Sequence, residues 1–152
     1  MPSPSTLPAI LVAEDDPNDF FFLQTALRQA GLKNPLVTFG NGLEVIEHLK
    51  RMCRAEAPGA TTELPSLLFL DLHLPQIDGC GVIAWARKQP QLRQLRIVVI
   101  SGSGDSEDTR RALALGASRV LMKPATEPDL AEELARLNQT ERPRLAPKSA
   151  AL

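Results

Sequence analysis

Apolar positions along this chain alternate between two rhythms. Short unbroken runs, Ile10-Leu11-Val12-Ala13, Leu67-Leu68-Phe69-Leu70 and Arg96-Ile97-Val98-Val99-Ile100, read as strands buried on both faces, the pattern of a parallel sheet. Strand one is predicted at about 9–13. Pro35 to Phe39 and Arg119 to Met122 read as further strands. Between them, apolar residues recur at helical spacing. Pro17 suits a first helical turn, Phe20, Leu23, Ala26, Leu27 and Ala30 follow on one stripe, and Gly31 stops it. A second helix over 43–54 places Leu43, Ile46 and Leu49 inward after the turn Gly40-Asn41-Gly42, with Asn41 a candidate N-cap. Gly79 opens a third over about 80–88, with Val82, Ile83 and Trp85, bounded by Pro90. A fourth is capped by Asp105 or Ser106 and stops at Gly116. A fifth is capped by Thr126-Glu127-Pro128-Asp129 and buries Leu130, Leu134 and Leu137.

Strands and helices alternate five times, which predicts an α/β fold on a parallel sheet. Residues 9–138 form one domain in this reading. Residues 1–8, rich in proline, serine and threonine, form a disordered lead, and residues 139–152 a flexible tail. The segment Ala55 to Pro65 breaks the pattern with two prolines and a glycine and reads as a loop. Phe21 and Phe22 widen the first helix's apolar face. Either one packs on the sheet while the other is partly covered, or both serve self-association.

Composition narrows the function classes. The 152 residues suit one domain, and 43% hydrophobic residues supply a core. A net charge of −1 and 4% aromatics argue against a nucleic-acid partner. No apolar run approaches the roughly 20 residues of a membrane span. The start of the chain lacks the pattern of a secretory signal. Cys53 and Cys80 have no metal-ligand spacing and read as reduced thiols. A cytoplasmic protein is the expectation.

Polar chemistry gathers where the strands end. The first run ends in Glu14-Asp15-Asp16, the third in Asp71, the fourth in Ser101 and the fifth in Lys123. Open α/β sheets bind ligands at the carboxyl ends of their strands. Like charges repel there unless a divalent cation with oxygen ligands holds them. A hydroxyl and an ammonium nearby can hold phosphoryl oxygens. A carboxylate among them can attack phosphorus, with Asp71 as the nucleophile. Surface carboxylates on a solvated loop account for Glu14-Asp15-Asp16 alone. They do not account for Asp71 at the end of an apolar strand or for a lysine before Pro124.

This pattern resembles the receiver domain of two-component response regulators over about residues 9–138. Asp71 precedes Ser101 by 30 positions and Lys123 by 52, the family's usual intervals. Glu14-Asp15-Asp16-Pro17, Asp71-Leu72-His73-Leu74-Pro75 with Asp78-Gly79, and Gly116-Ala117 before Lys123-Pro124 match in order. The resemblance implies a flavodoxin-like, doubly wound (βα)5 sandwich with strand order 2-1-3-4-5. It implies that Asp71 is the phosphoryl acceptor and that Mg²⁺ is held by Glu14 (through water), Asp15, Asp71 and the backbone carbonyl of His73. Asp16 is implied to be an accessory or helix-capping carboxylate. Ser101 and Lys123 are implied to hold the phosphoryl oxygens, and Lys123-Pro124 to be cis. Receivers catalyse only their own phosphoryl transfer and dephosphorylation, and so are not enzymes in the usual sense. The implied partner is a sensor histidine kinase. The Ala55–Pro65 insertion, Pro17 and the proline-bearing tail resemble a stand-alone, single-domain subgroup that serves bacteriophytochrome kinases and includes homodimers. Output then runs through protein contacts, by a face of helix four, strand five and helix five. Arg110, Arg111 and Arg119 are candidates there for ion pairs with a second subunit.

Three departures stand out. Val120 occupies the place of the aromatic switch residue of many receivers, Gly102 leaves room beside Ser101, and His73 lies beside the site, where tuning is expected rather than catalysis. A pseudo-receiver controlled by dimerisation is the alternative that Val120 favours. A haloacid-dehalogenase-type phosphatase would need an Asp at position 73, where this chain has His.

Overall fold

A computed structural model describes residues 7–54, 64–102 and 106–141, with side chains described to residue 137. The reading of residues 1–6, of most of the Ala55–Pro65 loop, of Asp105 as a cap and of the tail beyond 141 lies outside the described residues.

Five strands, β1 (Ile10–Ala13), β2 (Leu36–Phe39), β3 (Leu67–Asp71), β4 (Arg96–Ser101) and β5 (Arg119–Met122), alternate with α1 (Pro17–Gln29), α2 (Gly42–Arg54), α3 (Gly79–Arg87), α4 (Glu107–Leu115) and α5 (Glu127–Glu141). The strands form one sheet in the order β2-β1-β3-β4-β5, and every pairing is parallel. The predicted fold class and strand order are therefore the observed ones. α5 runs to Glu141, past the boundary read at residue 138.

Alternation along the buried strands splits the core in two. Leu11, Ala13, Leu68, Leu70, Ile97 and Val99 face α2, α3 and α4. Ile10, Val12, Leu67, Phe69, Val98 and Ile100 face α1 and α5, where Leu27 and Leu130 are fully buried. Both faces of β1, β3 and β4 are thus covered, which is why these strands carry no polar alternation.

Local chemistry sets the helix ends. Asp16 caps α1, its Oδ1 accepting from the backbone N–H of Asn18 at 2.8 Å and of Asp19 at 3.1 Å. Gly31 follows at φ 99°, and Leu32 N–H donates back to Leu27 O. Asn41 caps α2, accepting from Glu44 N–H at 2.8 Å. Ser106 caps α4, which ends at Gly116 with φ 122°. On α2 the inward set is Val45, Ile46 and Leu49, whereas Leu43 is exposed. At 3.6 residues per turn Leu43 falls on the side of the helix away from Val45 and Leu49. On α1 the expectation that one of Phe21 and Phe22 packs on the sheet fails. Both are about 60% exposed and meet edge to face, with ring centroids 6.0 Å apart.

At the amino edge of the sheet, Glu133 of α5 is fully buried between Arg96 at the start of β4 and Arg119 at the start of β5. Arg96 grips it through two nitrogens, and Arg119 Nη1 donates at 2.9 Å. Arg119 also reaches Asp129 at 2.9 Å, and Glu132. The expectation that Arg119 serves a second subunit is therefore corrected: its guanidinium is spent on α5 of its own chain.

Candidate functional site

The carboxyl edge of the sheet lies at the opposite end of the strands. Asp71 is the last residue of β3, and it is only 5% exposed although it carries a carboxylate. It is placed there by the apolar run before it, pinned in register between β1 and β4, with Asp71 level with Ile100. Its Oδ1 accepts from His73 N–H at 3.1 Å, and its Oδ2 lies 3.2 Å from Lys123 Nζ. Glu14, just past β1, has a side chain 5% exposed, while Asp15 beside it is exposed. Oxygens of Glu14, Asp15 and Asp71 come within 4.8 Å of one another.

Lys123 directly follows β5, and its bond to Pro124 is cis, as the resemblance implied. Its backbone N–H donates to Ser101 O at 2.7 Å, tying the ends of β5 and β4 together. Ser101 is 1% exposed at the end of β4. The Lys123 ammonium meets Asp19 at 2.7 Å, Glu14 at 3.0 Å and Asp71 at 3.2 Å. Burial works against its charge, but hydrogen bonds to Asp19 and Glu14 and the charge of Asp71 outweigh it and raise its pKa. For Glu14 the balance falls the other way. Burial is the largest influence and lifts its pKa to about 7, although the hydrogen bond from Lys123 pulls down.

The turn after β3 is held tightly. Ile77 N–H donates to Pro75 O at 2.8 Å across Gln76, whose φ is 71°. Pro75 O also accepts from Gly42 N–H at 3.3 Å, and Leu72 O accepts from Gly79 N–H at 2.9 Å. A Cβ at position 79 would fall 2.6 Å from Asp71 O, and one at position 42 would fall 1.8 Å from Ile77 O. These two glycines let other backbone segments close against the end of β3 and the turn that follows it. Asp78 caps α3 through Gly81 N–H at 2.9 Å.

Sequence reasoning placed Glu14, Asp15, Asp71, Ser101 and Lys123 at one edge, and all five residues lie there, at the ends of β1, β3, β4 and β5. The His73 side chain is exposed. Asp16 is a helix cap, the second of the two roles weighed for it. Val120 is partly buried against the α2–α4 core, and a Cβ at Gly102 would meet nothing within 4 Å. Asp19 was missed. The available signal was a carboxylate in the first turn of the helix that follows the acidic pair. The oxygen donors of Glu14, Asp15 and Asp71, with one ammonium against three carboxylates in contact with it, suit a hard divalent cation.

Residues 10–135 match the family described as response regulator receiver domain. Response regulator Rcp1 of Synechocystis is 28% identical over 121 residues, covering 80% of each chain. The crystal structure of its Mn²⁺-bound form superposes with a TM-score of 0.65 at 26% identity, covering 84% of this chain and 88% of that one. The bacteriophytochrome response regulator RtBRR gives a TM-score of 0.72 at 26% identity, covering 86% and 77%. Among the described residues no helix is long and apolar enough to cross a membrane. With fold and sequence match in agreement, this chain belongs to the response regulator receiver domain family.

Proposed function

We propose that Asp71 accepts a phosphoryl group from the phosphohistidine of a sensor kinase. The observation that carries this reading is a buried carboxylate with Lys123 Nζ at 3.2 Å and the oxygens of Glu14 and Asp15 within 4.8 Å. An Asp71 oxygen attacks phosphorus as the bond from phosphorus to the donor's imidazole nitrogen breaks. That nitrogen keeps the electron pair, and Asp71 becomes an acyl phosphate. Lys123 supplies positive charge to the transferred oxygens, and the Ser101 hydroxyl donates to one of them. Asp15, Asp71, Glu14 and the His73 carbonyl are the groups that would hold Mg²⁺. When bound, the ion offsets negative charge gathering on the transferring group. Later the phosphoryl group passes to water or to another histidine.

The protein acts in this reading as a cytoplasmic signalling module whose output is contact with other proteins, not catalysis on a separate substrate. A bacteriophytochrome kinase as donor is supported by the likeness to RtBRR. A homodimer is supported by the exposed Phe21–Phe22 pair. Incubation of wild type with acetyl phosphate and Mg²⁺ should give stable labelling, absent from Asp71→Asn. An Asp71→Asn protein that labels at the wild-type rate would overturn the assignment. A wild type that stays unlabelled marks a pseudo-receiver, and one that turns the donor over with rapid loss of label marks a phosphatase.

A further inference from the structure

The shortest contact of the Lys123 ammonium is not with the acceptor. Asp19 Oδ2 stands at 2.7 Å, against 3.2 Å for Asp71 Oδ2. An ammonium has three N–H donors, and three carboxylates take them here: Asp19, Glu14 and Asp71. A phosphoryl oxygen arriving at Asp71 needs one of those donors. The contact with Asp71 is lost as its carboxylate becomes an acyl phosphate. Glu14 has a second task beside the metal. Asp19 has none, and it stays in place: it belongs to the first turn of α1, with its own N–H fixed by the Asp16 cap at 3.1 Å, and α1 packs on α5. Its side chain is 38% exposed and borders a cleft of about 240 Å³ shared with Phe22 and Lys123.

We infer that Asp19 is a positioning residue that restrains Lys123 on the α1 side and so weakens the site's hold on the phosphoryl group. The inference rests on the reading of Asp71 as acceptor. Asp19 sets how tightly an occupied site holds its charge, through its grip on one ammonium. It touches neither the metal ligands nor the reacting oxygens.

The test is calorimetric titration of the full chain with beryllofluoride at saturating Mg²⁺. Wild type, Asp19→Asn and Asp16→Asn are compared. Asp19→Asn removes the competing charge and should bind about fivefold tighter, the scale of a partly exposed ion pair. Asp16→Asn removes the same charge from the same helix start, keeps an oxygen for the cap and has no contact with Lys123. It should stay within about twofold of wild type. Unchanged or weaker binding by Asp19→Asn overturns the inference, as does an equal gain in Asp16→Asn, which would reduce the effect to general charge. Wild type that binds no beryllofluoride at all sinks the acceptor reading, and the inference with it. Wild-type binding with a flat Asp19→Asn sinks the inference alone.

Discussion

The two edges of the sheet give their buried carboxylates opposite company. At the amino edge one buried carboxylate, Glu133, lies between two arginines. At the carboxyl edge one ammonium, Lys123, faces three carboxylates. Burial penalises charge at both edges. It would raise the Glu133 carboxyl, yet hydrogen bonds from Arg96 and Arg119 hold it below its ordinary value. It does raise Glu14, to about 7, because one lysine divided among three acids cannot offset it. The number of cations on the buried carboxylate therefore separates an edge that fastens α5 to the sheet from an edge left wanting positive charge. The second is the edge where the proposed cation and phosphoryl group would bind.

The largest break in this contrast should come from Glu133→Ala. It takes from Arg96 the carboxylate it grips, while Arg119 keeps Asp129 and Glu132, and it should cost about 3 kcal/mol in urea unfolding, since removing one member of a buried pair leaves the other uncompensated. Divalent-cation affinity should stay at the wild-type value. Excess Mg²⁺ should act the other way: at a hundred times its dissociation constant it adds about 2.7 kcal/mol of stability by mass action. Asp15→Asn should lose most of that gain, and Glu133→Ala should keep it. A melt of Glu133→Ala that ignores Mg²⁺ would show the two edges to be coupled rather than separate.

Smaller effects sharpen the same comparison. In the absence of metal, Asp71→Asn should raise stability by about 1 kcal/mol, because it removes one of three like charges crowded on Lys123. A neutral substitution would then stabilise one edge and destabilise the other. The pH dependence should be the gentlest effect. The folded pKa of Glu14, about 7, lies above its ordinary 4.5, so the folded state binds that proton more tightly than the unfolded chain. Its contribution is present below about 4.5 and is lost as pH rises from there through 7. Glu133 is held below its ordinary 4.5, so its contribution is present above that value and lost as pH falls through the folded pKa. Metal-free protein should thus be most stable in mildly acid solution, and Mg²⁺ should shift the optimum upward. A flat profile in thermal melts between pH 5 and pH 8, on the order of one titration each side of the Glu14 value, would count against the burial of Glu14.

The carboxyl edge was largely legible in the sequence and the amino edge was not, for a physical reason. Asp71 and Lys123 each terminate an apolar run, and a charge at the end of a buried strand must lie at the sheet's edge. Arg96 and Arg119 begin their strands, where a charged residue is unremarkable, and Glu133 sits on a helix whose polar positions look like a solvated face. Only the packing of α5 brings them together. Asp19 escaped for a related reason. It lies 104 positions from its partner, within a helix turn that reads as capping chemistry. Leu43 and the Phe21–Phe22 pair show the limit of helical periodicity: it gives the stripe, but packing against the sheet decides which residues at its margin face out.

One contact described above bears on which residues this protein can exchange. The backbone at Gly42 lies so close to Ile77 O that even a methyl group would overlap it, and Gly42 N–H is bonded to Pro75 O in the turn after Asp71. A saturation scan should therefore find position 42 among the least replaceable. That intolerance comes from a carbonyl 35 residues further along the chain, on a turn that only hydrogen is small enough to meet.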